Sequence, residues 1–328
     1  MLGSVLVTGG AGFIGQRLVS LLLKAGYSVV VVDDCSAGQA LQPETAELRC
    51  VRLDIRDTKG LAALVTEIRP SVIVHLAALH HIPTCTNDPA RTLSINVLGT
   101  QSLLDSCKDL SSVRIVLASS GAVYAWGQEQ LSELAPLAPA DIYSISKQTN
   151  EAQVALWVNQ GVDTAIRRSG RVARLFNVIG EHDPNGHLIP DLMSRLLPHL
   201  DQRDGPIQLR LGALSPRRDY ISVEDAARGL FALVADSDES SFEAYNLCSG
   251  TEVSVAELAE HLAHLLGVRV SLVSDPELVR RIDRPSQWGA PTKARDRLGF
   301  VAQDTLDDVL GRMCRREIGG KPLPIFTP

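Results

Sequence analysis

In the first half of the chain, apolar residues fall in short unbroken runs. Residues 4–8, 28–32, 48–53, 72–75 and 114–118 are rich in Val and Ile and show no in/out alternation. Such runs read as strands buried on both faces. Between them, apolar positions recur with helical spacing over 13–25, 58–68, 89–108 and 142–159. Strands alternating with helices imply right-handed crossovers, and hence an α/β fold built on a doubly wound parallel sheet.

The second half is less regular. A strand over 171–176 is followed by a loop holding Pro184, Asn185, Gly186 and Pro190. A strand-like 219–222 leads into a helical 222–235, and Ser254 is placed to cap a helix over 255–266. The pattern predicts a first domain over 1–176, with 213–237 returning to it. A smaller, discontinuous α/β domain is left, over 177–212 and 238–328.

The chain has 328 residues, 45% hydrophobic and 21% charged, which gives ample material for two cores. Its net charge of −6, without a long Lys/Arg run, argues against nucleic acid as a partner. No apolar stretch approaches the ~20 residues of a membrane span, and with strand one and its glycine turn at the start no leader is expected. The cysteines Cys35, Cys50, Cys85, Cys107, Cys248 and Cys314 are scattered, with no Cys-x-x-Cys pair. They are expected as reduced thiols in the cytoplasm, with no metal site.

Chemistry first enters after strand one, where Gly9, Gly12 and Gly15 open a helix together with Phe13 and Ile14. One Gly permits unusual backbone angles, one lets pyrophosphate approach, and one lets helix and strand pack closely. The helix N-terminus offers free N–H groups to phosphates. Asp33, at the end of strand two, suits the adenosine ribose hydroxyls and repels a 2′-phosphate, with Asp34 adding negative charge. The expected cofactor is therefore NAD. Asp54 is placed to reach the adenine amino group; the alternative is a helix cap or a solvated turn.

Tyr143 and Lys147, at i and i+4, share a helix face. An ammonium, aided by a positive nicotinamide ring, would favour the phenolate and make Tyr143 a base for a sugar hydroxyl. Lys147 would also hold the nicotinamide ribose. Ser120, in Ser119-Ser120-Gly121-Ala122-Val123-Tyr124, lies at the carboxyl edge of the sheet, where ligands of such folds bind.

These residues, with His75-Leu76-Ala77-Ala78, Asn96-Val97-Leu98-Gly99-Thr100, Phe176-Asn177 and Arg218-Asp219-Tyr220, resemble the extended short-chain dehydrogenase/reductases. The likeness spans nearly the whole chain and points to the nucleotide-sugar epimerases, dehydratases and reductases. It implies a Rossmann sheet and the catalytic set Ser120, Tyr143 and Lys147. Ile55, Leu76, Ala77, Ala78, His80, Asn96, Ser119 and Phe176 join the cofactor side. The sugar-nucleotide side takes Asn177, His187, Leu188 and Arg218, the last of which could instead form a surface ion pair with Asp219. A second arginine comes from Arg280, by the pattern of GDP-6-deoxy-sugar reductases, or from Arg284, by the general epimerase pattern. The resemblance further suggests a homodimer packed through the Tyr143 helix and around Leu103. Where 4,6-dehydratases of the family carry an Asp-Glu pair, this chain has Gly121 and Ala122. The resemblance thus implies an NAD-dependent 4-epimerase of a nucleotide-sugar, or a 4-ketoreductase of a 4-keto-6-deoxy-sugar nucleotide.

Overall fold

The computed structural model describes residues 2–37, 40–127, 129–161, 167–183, 188–200, 205–238, 241–279 and 284–319. Its main sheet has seven strands: β1 (Ser4–Thr8), β2 (Ser28–Asp33), β3 (Leu48–Arg52), β4 (Val72–His75), β5 (Ser112–Ser120), β6 (Arg167–Leu175) and β7 (Phe242–Leu247). They run in the order β3-β2-β1-β4-β5-β6-β7, every neighbour parallel. Successive residues of one strand feed opposite cores. Val5 and Val7 pack with Leu18 and Leu22 of helix Phe13–Lys24 and with Leu230 and Leu233 of helix Val223–Ala235. Leu6 packs on the other face, with Leu61 of helix Thr58–Ile68 and Leu103 of helix Gly99–Ser106. Both faces are covered, so the strands carry no polar alternation. The order reverses between β1 and β4, and the crevice outside their carboxyl ends is where a ligand fits.

The single helix expected over 89–108 is interrupted. Pro89–Leu93 passes through a π turn, Ser94–Leu98, before Gly99–Ser106. Side chains capture the Asn96 carbonyl at this point: Thr100 Oγ1 donates to it at 2.6 Å and Asn150 Nδ2 at 2.7 Å. An inserted donor of this kind displaces the regular ladder. Helix Ile142–Asn159 starts at a capping box, with Asp141 accepting from Ser144 N. The cap expected at Ser254 is present, and Glu257 answers it.

The second unit packs helices Leu188–Leu196, Val255–Leu266 and Leu306–Glu317 around the parallel pair Ile207–Leu211 and Val270–Ser274. The return to the main sheet runs further than residue 237. β7 pairs with β6 along its length, and Ala294 and Phe300 join the sheet-side core. Assigning all of 238–328 to the second unit is thereby corrected; without β7, the outer edge of β6 would leave its backbone groups unpaired. Arg217–Arg218 lies between Val253–Ser254 and Ser286–Gln287 in a small sheet. Among the described residues, no helix is long and apolar enough to cross a membrane.

Candidate active site

The glycine turn is fixed by space. Gly9 has φ +73, and a Cβ there would lie 2.7 Å from Ala77 N. A Cβ at Gly15 would lie 2.3 Å from Gly9 O. Gly12 caps the helix with no side-chain bond, so the first N–H groups face outward. Asp33 is braced from both sides, accepting from Ala11 N at 3.0 Å and Cys35 N at 2.8 Å. A backbone bare of Cβ atoms, a helix N-terminus and a fixed carboxylate together fit a dinucleotide.

A cleft of about 740 Å³ runs from this turn across the sheet edge into the second unit. Every residue expected to hold the cofactor lines it except Asn96. The Asn96 carboxamide is spent beneath the cleft: it accepts from Leu79 N at 2.8 Å and donates to Leu79 O and Ser146 Oγ, both at 2.9 Å. It shapes the Ala77–His80 wall and does not touch the ligand space. Asp54 lines the cleft while bonded to Arg56 at 2.5 Å, and this partner holds its carboxyl below the usual range. The N-cap of the next helix is Asp57 and not Asp54.

Ser120, Tyr143 and Lys147 meet where β5 ends. Lys147 Nζ donates to Ala118 O at 2.8 Å and lies 5.9 Å from the Tyr143 ring centroid. Burial lowers the ammonium to about 8, opposed by the nearby Cys85 and Glu151 groups. Burial raises the Tyr143 phenol to about 12, opposed by its hydrogen bond with Ser120. With the protein's groups alone, desolvation dominates and favours the protonated phenol; the expected phenolate is for Lys147 acting together with the nicotinamide charge.

A buried network that sequence reasoning missed lies behind this set. Glu151, four residues beyond Lys147, accepts from Ser119 Oγ at 2.5 Å and from both Arg174 Nε at 3.0 Å and Nη2 at 2.7 Å. Arg174 also donates to Tyr124 Oη at 3.0 Å, and Tyr124 donates to Asn246. The i, i+4, i+8 spacing of Tyr143, Lys147 and Glu151 was the available signal. Arg167, Arg168, Arg171 and Arg174 all lie on β6.

On the substrate side, Asn177, Leu188 and Arg218 line the cleft. Asn177 Nδ2 donates to Asp219 O at 2.9 Å. Asp219 is buried and accepts from Ser249, Gly250 and Gly289, so a surface ion pair with Arg218 is ruled out. Arg284 does not line the cleft. Its guanidinium donates to Ala122 O at 2.5 Å and reaches Tyr124 O at 3.5 Å, clamping the turn after Ser120. His187 and Arg280 lie outside the described residues. At Gly121, a Cβ would meet the Phe176 ring at 3.1 Å.

Comparison with known proteins gives a consistent picture. The model of the NAD dependent epimerase/dehydratase family matches residues 5–248. The chain is 30% identical to GDP-6-deoxy-D-mannose reductase of Pseudomonas aeruginosa, over 93% of each chain. It is 28% identical to UDP-glucose 4-epimerase 2 of Arabidopsis thaliana, over 96% of this chain and 94% of the other. The crystal structure of Thermus thermophilus UDP-glucose 4-epimerase in complex with NAD is 26% identical, with TM-score 0.82 over 96% of this chain and 99% of that one.

Proposed function

From the chain's membership of the NAD-dependent epimerase/dehydratase family, as an NAD-dependent extended short-chain dehydrogenase/reductase, we propose that it is a nucleotide-sugar 4-epimerase. The glycine turn, Asp33 and Lys147 would hold NAD, which would supply a reversible hydride acceptor for chemistry at C4 and a positive charge on the Tyr143 side of the cleft. That charge opposes the burial that holds the phenol near 12. Ser120 orients the 4-hydroxyl, Tyr143 receives its proton, and Lys147 stays fixed to Ala118 O beneath the ribose. Arg218 supplies the guanidinium for the diphosphate.

One observation carries the restriction to C4 chemistry. The turn after Ser120 holds Gly121 and Ala122, and the Phe176 ring crowds position 121. Elimination of water or loss of carbon dioxide needs a second proton carrier there, and neither residue is one. A 4-ketoreductase of a 4-keto-6-deoxy-sugar nucleotide uses the same three groups, with Tyr143 as the acid. The likeness to the Pseudomonas reductase favours that second reading. Mass spectrometry of nucleotides released on denaturing the fresh protein separates the two. Near-stoichiometric NAD that survives dialysis supports the epimerase, whose cofactor is regenerated in place; an empty protein that takes up NADH supports the reductase.

The proposal includes a cytoplasmic homodimer. Leu98, Ile145 and Leu156 are exposed on helices that pack together, at 62%, 43% and 63%. These side chains, and not Leu103, which is buried in the core, support an interface there.

A further inference from the structure

Beyond Arg218 the cleft enters the second unit and changes character. Leu188, Pro190, Leu211 and Leu278 give it apolar walls, and Gly212 backs directly onto Leu278, whose carbonyl a Cβ would meet at 2.5 Å. Two charged residues, Asp191 and Arg195, line the same end. They sit one turn apart on helix Leu188–Leu196, with Arg195 Nη2 3.0 Å from Asp191 Oδ2. Arg195 Nη1 donates to Arg210 O at 2.8 Å, which ties the pair to the opposite wall. The glycine turn serves the dinucleotide and Arg218 the diphosphate, so this apolar slot is the part of the cleft that faces the substrate's base.

We propose that the slot selects guanine, with Asp191 reading its Watson–Crick edge, an inference that rests on the nucleotide-sugar reading above. Guanine presents N1–H and N2–H side by side, two donors that one carboxylate accepts together; its O6 and N7 are acceptors that suit a guanidinium. Uracil and thymine present a single N–H between two carbonyl oxygens, so a carboxylate would face two acceptors. Cytosine and adenine offer one amino donor beside a bare ring nitrogen. Only guanine matches a carboxylate and a guanidinium held next to each other, and the mismatch against uracil is repulsive as well as weaker. The ion pair with Arg195 fixes the direction of the Asp191 carboxylate, which lowers the ordering cost of binding.

The test is calorimetry on the full-length, NAD-loaded protein with GDP, UDP and dTDP. Asp191 is 43% exposed in its side chain, so Asp191→Asn leaves the core intact. The expected result is GDP bound roughly tenfold or more tighter than UDP or dTDP, the scale of hydrogen bonds to a charged group. Asp191→Asn is expected to erase that preference while leaving UDP affinity in place. UDP or dTDP binding as tightly as GDP overturns the guanine assignment and leaves the nucleotide-sugar reading standing. A GDP preference that survives Asp191→Asn overturns the role of Asp191. If none of the three nucleotides binds, the nucleotide-sugar reading falls with it.

Discussion

With its phenol near 12 and its ammonium near 8, the Tyr143–Lys147 pair stands as phenol and ammonium at neutral pH. A hydroxyl-free replacement removes the proton carrier and leaves the cofactor walls untouched. Tyr143→Phe is therefore expected to lower kcat by about 10²–10⁴-fold with NAD binding retained; steady-state assays beside a binding titration check both halves. His75 gives a second residue-scale prediction. It is buried between Thr8 Oγ1 at 2.6 Å and Thr100 Oγ1 at 2.9 Å, and burial drives it from 6.5 to about 3. Between those values the unfolded chain binds the extra proton, so stability present above 6.5 is lost as pH falls. Urea midpoints should drop from pH 7 to pH 5, and His75→Gln should flatten that slope. At this scale the site was legible wherever spacing alone decides the chemistry, as at Gly9 or Tyr143 with Lys147. Asn96 and Arg284 show the limit. A sequence names the donor, but the nearest backbone carbonyl decides where it points.

At the scale of elements, the glycine turn and its helix meet too closely at Gly15 to leave room for a Cβ. Gly15→Ala puts a methyl 2.3 Å from Gly9 O and 2.7 Å from Gly10 Cα, both backbone atoms with little freedom to yield. The helix must back away from β1, at a cost of about 1–3 kcal/mol, the range for overpacking. NAD affinity should fall along with the urea midpoint, whereas unchanged NAD affinity would mean that the turn absorbs the methyl. Strand and helix identities followed from periodicity because both faces of the sheet are apolar. The break in the 89–108 pattern did not, since a π turn keeps helical spacing on either side and is created by Thr100 and Asn150 from outside the ladder.

For the whole molecule, the sequence disclosed that the chain leaves the sheet and returns, but not where the return ends. Helix Val223–Ala235 buries a continuous apolar face and was visible. β7 reads Phe-Glu-Ala-Tyr-Asn-Leu, and its first three residues are only partly buried, as suits the outermost strand of a sheet. Its pattern is diluted by its position. Assembly is the prediction that belongs here. Leu98→Glu combined with Leu156→Glu should convert the proposed dimer to a monomer in light scattering, with NAD binding preserved because neither residue lines the cleft.

The position of β7 also bears on how the protein is made. β6 acquires its outer partner only after about seventy further residues have been synthesised, several seconds at ribosomal rates. Through that interval a nascent chain carries an open strand edge, the kind of surface on which chains join one another. That edge is studded with Arg167, Arg168, Arg171 and Arg174. Before Arg171 finds Asp236, these cations make the strand a poor template for a second copy of itself. Arg171, which later disappears into its ion pair with Asp236, is first one of the charges that guard this edge against aggregation during translation.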